Sequence, residues 1–278
     1  MKAKRALAET SERLATAGCD SPRVDAEILV SHVLGLSRSE LPLEASRKLS
    51  TAEAKRLEGL VARREGREPL AYVLAEWGFR RLTLAVDRRV LVPRPETETV
   101  VERCLARISG LAEPYVLDVG TGSGAIALAI ADEHPGARVT GIDASPGALE
   151  VAGANALRTG LEIALREWDL FTGLPDGPWD LVVSNPPYVL PEEVEKLAPE
   201  VRDWEPREAL VGVGATEAVA RGGLDVLQPG RALVLEVAAG ASARVVAMLA
   251  GLGYGDITTT RDLAGRDRVV EAAAAPAG

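Results

Sequence analysis

Ser184-Asn185-Pro186-Pro187-Tyr188 combines the groups that a planar nitrogen would need around it to accept an alkyl group. An amide nitrogen is a poor nucleophile, because its lone pair is delocalised into the carbonyl. In-line displacement at carbon therefore needs the nitrogen held close, with its lone pair aimed along the bond that breaks. The Asn185 side-chain oxygen can accept one N–H. The Pro186 backbone carbonyl can accept the other, and Pro187 confines Pro186 to an extended conformation that gives this carbonyl one direction. Tyr188 offers a flat surface for a planar amide or a base. No strong base is required, since the proton can leave after transfer, and exclusion of water would favour dispersal of a sulfonium charge. A lone Asn-Pro is common in turns; the whole tetrapeptide closing an apolar strand is much rarer.

A second set of residues suits the alkyl donor. Asp118-Val119-Gly120-Thr121-Gly122-Ser123-Gly124 follows an apolar strand and opens a helix. Its glycines let the backbone turn tightly and approach a ligand closely. Asp143 ends the next strand, where a carboxylate can accept from both hydroxyls of a ribose. Gly120-x-Gly122-x-x-Ala125 also satisfies the dinucleotide fingerprint, so a nicotinamide cofactor is an alternative. Two features favour S-adenosylmethionine: Asp118, placed where it can help hold a cationic methionine end, and the position of the loop behind a helical domain. Asp169 can accept from the exocyclic amino group of adenine, and Leu170 can cover the ring.

These residues need a scaffold. Residues 1–75 read as helices, with Leu7 and Leu14 on one face and Ser21-Pro22 as cap and first residue of a second helix. Val24, Ile28, Leu29, Val33 and Leu34 recur at helical spacing. Ser50-Thr51-Ala52-Glu53 is a capping box opening a third helix through Leu57, Leu60 and Val61. Residues 77 to 93 alternate apolar and polar through Phe79, Leu82, Leu84, Val86, Val90 and Val92, which predicts a β-hairpin turning at Asp87-Arg88-Arg89. Two prolines stiffen Pro93-Arg94-Pro95, and Glu96 and Glu98 then complement a helix dipole. Strands at 115–119, 138–143, 181–184 and 232–237 alternate with helices, the pattern of a parallel sheet covered on both faces. Strands at 257–260 and 268–271 predict a closing antiparallel hairpin, and residues 272–278 a disordered tail.

The chain has 278 residues and a formal net charge of −9, a poor match for general binding to bare phosphate backbones. Aromatic residues make up only 4%, so Leu, Val and Ala must fill the core. Cys19 and Cys104 read as buried thiols in a reducing cytosol, and His32 and His134 lack ligand spacing to them, so no metal site is expected. The charged, helical N-terminal segment does not read as a signal peptide, and no apolar run approaches the roughly 18 residues of a membrane span. A cytoplasmic location follows.

On these residues the chain closely resembles the release-factor glutamine methyltransferases, which methylate the glutamine of the Gly-Gly-Gln tripeptide in bacterial class 1 release factors. The resemblance runs through Ser21-Pro22-Arg23-Val24-Asp25-Ala26-Glu27 and Arg67-Glu68-Pro69-Leu70-Ala71-Tyr72 in the helical part. It continues through Val92 to Glu98, Asp118 to Gly124, Asn185 to Tyr188, Glu205-Pro206-Arg207 and Asp262-Leu263-Ala264-Gly265-Arg266-Asp267-Arg268. It implies a seven-stranded, Rossmann-like α/β methyltransferase domain over 94–278. Before it would come a helical substrate-docking domain over 1–75 and a β-hairpin linker over 76–93. It also implies cofactor contacts from Asp118, Gly120 to Gly124, Asp143, Asp169 and Leu170, and substrate contacts from Asn185 to Tyr188, with Asn185 touching both molecules. The chain departs from the family in having Ala75 where Gly is usual, and Leu170 at an aromatic or variable position. Gly214-Ala215-Thr216-Glu217 replaces Asp-Gly-Leu, and Ala238 and Ala241 stand where Gly and Gln are frequent.

Three other readings compete. Adenine or cytosine amino methyltransferases use the same tetrapeptide on a flipped base, but the net charge and lack of a basic recognition domain count against one. A silent binding module would not need the intact motif. A nicotinamide oxidoreductase would need an acid–base pair that the sequence does not offer.

Overall fold

Four helices begin the chain because small and apolar side chains recur every three or four residues. In α1 (Ala3–Thr16) the buried positions are Ala3, Ala6, Thr10 and Leu14, one stripe facing α2 (Pro22–Leu34). α3 (Thr51–Glu65) opens on the expected capping box. The Ser50 hydroxyl accepts from the Glu53 amide at 3.2 Å, and the Glu53 carboxylate accepts from the Ser50 amide at 2.7 Å. α4 (Leu70–Leu74) ends at Ala75, whose φ is +60°. Two expectations for α2 are corrected. Pro22 occupies the first helical position, but the Ser21 side chain makes no cap bond, its ψ of 56° lying outside the extended geometry a cap needs. Val24 faces solvent, and its neighbour Asp25 is buried instead, because Asp25 meets Arg64 at 2.8 Å.

The computed structural model describes residues 1–275, and these form two compact units. The first is Met1–Ala75 together with Ala198–Trp204; the second is Glu76–Leu197 with the chain from Glu205 onward. Within the first unit, Glu200 pairs with Arg64 at 2.8 Å and with Arg67 at 2.6 Å, so the short later segment is held by a partly buried ionic cluster.

The second unit opens with a hairpin of β1 (Glu76–Phe79) and β2 (Leu82–Ala85), paired antiparallel with Phe79 opposite Leu82. This corrects the turn position. The reversal falls at Arg80-Arg81, with Arg80 at φ +53°. Asp87 to Arg89 does form a turn, its Asp87 carboxylate accepting from the Arg89 amide at 3.0 Å. Val90 and Val92 after it are buried without pairing into a strand. Alternating burial, not strand pairing, produced their periodicity.

Then come α5 (Thr97–Ile108), β3 (Tyr115–Val119), α6 (Ala125–Glu133), β4 (Arg138–Asp143), α7 (Pro146–Thr159), β5 (Ala164–Glu167) and β6 (Trp179–Ser184). α8 (Pro199–Arg202) belongs to the first unit. α9 (Arg207–Leu210), α10 (Ala215–Val226), β7 (Leu227–Glu236), α11 (Ser242–Leu252), β8 (Gly255–Arg261) and β9 (Asp267–Ala273) follow. The sheet has seven strands in the order β5-β4-β3-β6-β7-β9-β8. β3 to β7 are parallel; β9 runs antiparallel to both β7 and β8. β5 escaped the sequence reading because it is a short edge strand whose ends, Ala164 and Glu167, are exposed. The tail expectation is corrected as well: Ala272 is buried and pairs with Leu233. Residues 276–278 lie outside the described residues.

Neighbouring strand residues face opposite cores. Val116, Leu181, Val183 and Val234 pack with α5 and α6, whereas Leu117, Val182, Leu233 and Leu235 pack with α10 and α11. Cys104 belongs to the first of these cores, and both cysteines are free and buried. The chain order reverses beside β3, between β4 and β6, which opens a crevice at the carboxyl ends of these strands. Among the described residues no helix is long and apolar enough to cross a membrane.

Candidate active site

That crevice is a cavity of about 600 Å³, large enough to enclose most of a nucleoside-sized ligand. Its floor is the glycine loop between β3 and α6. Gly120 and Gly122 have φ of +73° and +55°, which side-chain-bearing residues rarely adopt. The Gly120 and Thr121 amides both donate to the Ile142 carbonyl, at 2.8 and 2.9 Å, fastening the loop to the end of β4. Asn155 on α7 is fully buried; it donates to the Ser123 carbonyl at 2.9 Å and bonds both backbone groups of Ala85. The β1–β2 hairpin and the glycine loop thus share one support, which no local sequence signal announces.

Asp143 lines the cavity. One of its oxygens accepts from the Gly122 amide and the other from the Ser145 amide, each at 2.9 Å. An ionised carboxylate offers about four lone-pair sites, so capacity remains on both oxygens for a diol. Burial raises its pKa, against these two donors. Asp169 accepts from the Phe171 amide at 2.9 Å, and Asp169, Leu170 and Phe171 all line the cavity. Trp168 lies beside them and was not singled out from the sequence.

Of the remaining expected residues, Thr121, Ser123, Asn185 and Pro187 line the cavity, whereas Asp118, Gly124, Pro186 and Tyr188 do not. Asp118 is buried beneath the loop. One oxygen accepts from the Thr121 hydroxyl at 2.7 Å and the Ala127 amide at 3.2 Å, and the other has no hydrogen-bond partner. Burial raises its carboxyl to about 7. It braces the loop from below. Gly124 caps α6 at φ +80°, and a Cβ there would press on Ala152 and Leu128. Pro186 is buried and Tyr188 half-buried. Gly212 has no room for a Cβ against Pro187, and the Val189 amide donates to the Leu210 carbonyl at 3.0 Å, so residues 185–189 are backed by the segment after α9.

Thr97, to which the sequence reading gave no site role, meets Asn185, and Glu236 in turn holds Thr97. Thr97, the first residue of α5, lines the cavity and is buried. Its hydroxyl donates to Glu236 at 2.6 Å, and the Asn185 Nδ2 approaches it at 3.4 Å. Glu236 ends β7 at 1% exposure, and burial raises its carboxyl to about 7. The available signal was a carboxylate closing an apolar strand at the same sheet edge as Asn185. Arg94, also on the wall, pairs with buried Glu205 at 2.6 Å. Glu96 and Glu98, expected as dipole partners, also have specific bonds: Glu96 with Arg266 at 2.9 Å and Glu98 with the Arg80 amide at 3.0 Å.

The cavity therefore brings together a carboxylate with free acceptor capacity, apolar walls and the Asn185 carboxamide. It suits chemistry limited by alignment.

Two family models match the chain: one described as PrmC N-terminal domain over residues 5–74, the other as Methyltransferase small domain over residues 100–224. The chain is 40% identical over 271 residues to the release factor glutamine methyltransferase of Geobacter sulfurreducens, covering 96% of this chain and 95% of that one. With the protein of the same name from Caulobacter vibrioides it shares 39% over 272 residues, covering 96% and 94%. Among solved structures, the 16S rRNA N2 G1207 methyltransferase of T. thermophilus, in complex with AdoMet and guanosine, superposes with a TM-score of 0.53 at 17% identity. That match covers 72% of this chain and 49% of the other, and it is a likeness of fold.

Proposed function

The chain belongs to the release factor glutamine methyltransferase family, and we propose that it methylates the side-chain amide nitrogen of the glutamine in the Gly-Gly-Gln segment of class 1 peptide chain release factors, using S-adenosylmethionine. The observation that carries the reading is Asn185, a carboxamide on the wall of the same cavity that Asp143 and the glycine loop line. S-adenosylmethionine, when bound, supplies an electrophilic methyl carbon on a sulfonium. The cavity fits it: Asp143 keeps acceptor capacity for ribose hydroxyls, and Asp169, Leu170, Phe171 and Trp168 offer an acceptor and apolar walls for adenine.

In this reading Asn185 accepts one glutamine N–H from the cavity wall; the Pro186 carbonyl, which lies behind that wall in this structure, accepts the other once the substrate is seated, and Tyr188 then flanks the substrate carboxamide. The proton departs after transfer, so no group of the chain acts as a base beforehand. Glycines around the target let a bare backbone follow it into a narrow cavity, and the shorter asparagine would stop about one methylene short, a misplacement that can cost about a hundredfold. Residues 1–75 serve as docking surface for the rest of the release factor, and the enzyme works in the cytoplasm, where its substrate does. The nucleic-acid alternative finds no support in the net charge of −9.

The test is competition. The protein is incubated with methyl-labelled S-adenosylmethionine, an intact release factor, the same factor with asparagine for glutamine, and DNA and RNA. Label on the glutamine alone is expected. Label in nucleic acid with none in the release factor overturns the reading.

A further inference from the structure

We infer that Thr97 and Glu236 are positioning residues that lock the Asn185 carboxamide with its oxygen toward the cavity. The inference rests on the reading of Asn185 as the substrate's acceptor. A carboxamide has two prongs of nearly equal size, and only one orientation is useful, since a glutamine NH2 needs an oxygen to donate to. Nothing in Asn185 itself selects that orientation.

Thr97 selects it. Its hydroxyl has a single hydrogen, and that hydrogen is committed to Glu236 over 2.6 Å. Above about pH 7, where Glu236 is ionised, its carboxylate can only accept, so the hydroxyl oxygen turns lone pairs toward Asn185. An Asn185 oxygen placed there would face lone pair against lone pair. The amide NH2 placed there finds an acceptor, as the 3.4 Å contact from Nδ2 shows. With Nδ2 engaged, Oδ1 is the prong left for the ligand. Glu236 is held in turn by burial at the end of β7, so the chain of contacts starts from a sheet strand and ends at the cavity wall. The Asn185–Thr97 contact is long for a hydrogen bond, which makes the committed hydrogen, more than the strength of that contact, the source of selection.

Four proteins test the lock: wild type, Thr97→Ser, Thr97→Val, and the double variant Thr97→Val/Glu236→Leu, which removes the carboxylate that valine would leave unpaired. Turnover of release-factor glutamine is measured at saturating substrates, alongside cofactor affinity and the melting temperature. Thr97→Ser keeps the hydroxyl and should turn over within about threefold of wild type. Thr97→Val and the double variant should both lose about ten- to a hundredfold in kcat, with cofactor affinity within about twofold. If the double variant recovers wild-type kcat, Thr97 merely shields a buried charge and the lock is refuted; wild-type kcat in Thr97→Val refutes it equally. The side-chain NH2 resonances of Asn185 provide a readout independent of the substrate. They should move in Thr97→Val and stay in Thr97→Ser, and an unmoved signal in both overturns the lock. A wild-type protein that leaves glutamine unmethylated while these resonances behave as described sinks the functional reading and spares the lock.

Discussion

In the proposed reading Asn185 serves the substrate and Asp143 the cofactor, so their removal should have different signatures. Asn185→Ala removes a preorganised acceptor and should lower turnover by about a hundredfold or more, while calorimetry finds cofactor affinity nearly unchanged. Asp143→Ala should instead weaken S-adenosylmethionine binding by about 2 kcal/mol, the worth of hydrogen bonds to a charged group; unchanged affinity would mean that the ribose is held elsewhere. Two buried carboxyls tie stability to pH. Burial raises Asp118 from its ordinary 3.8, and Glu236 from 4.5, to about 7 each. Both favour the neutral form in the folded chain. Their stabilising contribution is therefore full below about pH 4 and is lost as pH rises through 7. Chemical denaturation of the wild type should show stability falling between pH 5 and pH 8, and Glu236→Gln should flatten that fall by about 2 kcal/mol; parallel profiles would mean that Glu236 titrates normally. Asn185 and Asp143 were legible because each sits at a strand end in a contiguous motif. Thr97 and Glu236 were not, because they lie 139 residues apart and acquire meaning only when the sheet brings them together. Asp118 was expected as a ligand contact; its place beneath the loop depends on how the glycine backbone folds over it.

At the scale of elements, the sequence marks strands by burial and helices by periodicity, and it errs where these come apart. The central strands β3 and β4 agree with the expected spans to the residue, since both are apolar runs buried on both faces. The hairpin was displaced because Val90 and Val92 alternate in burial while lying outside any strand, and β5 was passed over because an edge strand need not be apolar. One element carries a local cost. Ala75 ends α4 in the left-handed region at φ +60°, where a Cβ is unfavourable. Ala75→Gly should raise stability by about 0.5–1 kcal/mol, the relief of left-handed strain less the added freedom of the unfolded chain. Urea unfolding measures it, and a lower midpoint would show that the flexibility of glycine outweighs the strain. Ser50→Ala, by contrast, should cost about 1 kcal/mol by deleting half of the capping box on α3.

At the scale of the whole molecule, the helical and α/β parts were both visible as changes of pattern along the chain. Invisible was the membership of Ala198–Trp204, because a seven-residue segment surrounded by the other unit gives no pattern of its own. Its assignment becomes physical only through Glu200 and the arginines Arg64 and Arg67. A chain beginning at Glu76 would keep Glu200 and lose both arginines. Limited proteolysis should then cut that truncated chain within residues 198–204, at sites protected in the full-length protein; equal resistance would show that the segment needs no partner. A single cut of the gene at codon 75 therefore divides the polypeptide without dividing the fold. The two units cannot be inherited, swapped or fused as beads on a string, and fragments expressed apart should reassemble only when the first fragment can recapture a strip of chain encoded inside the second.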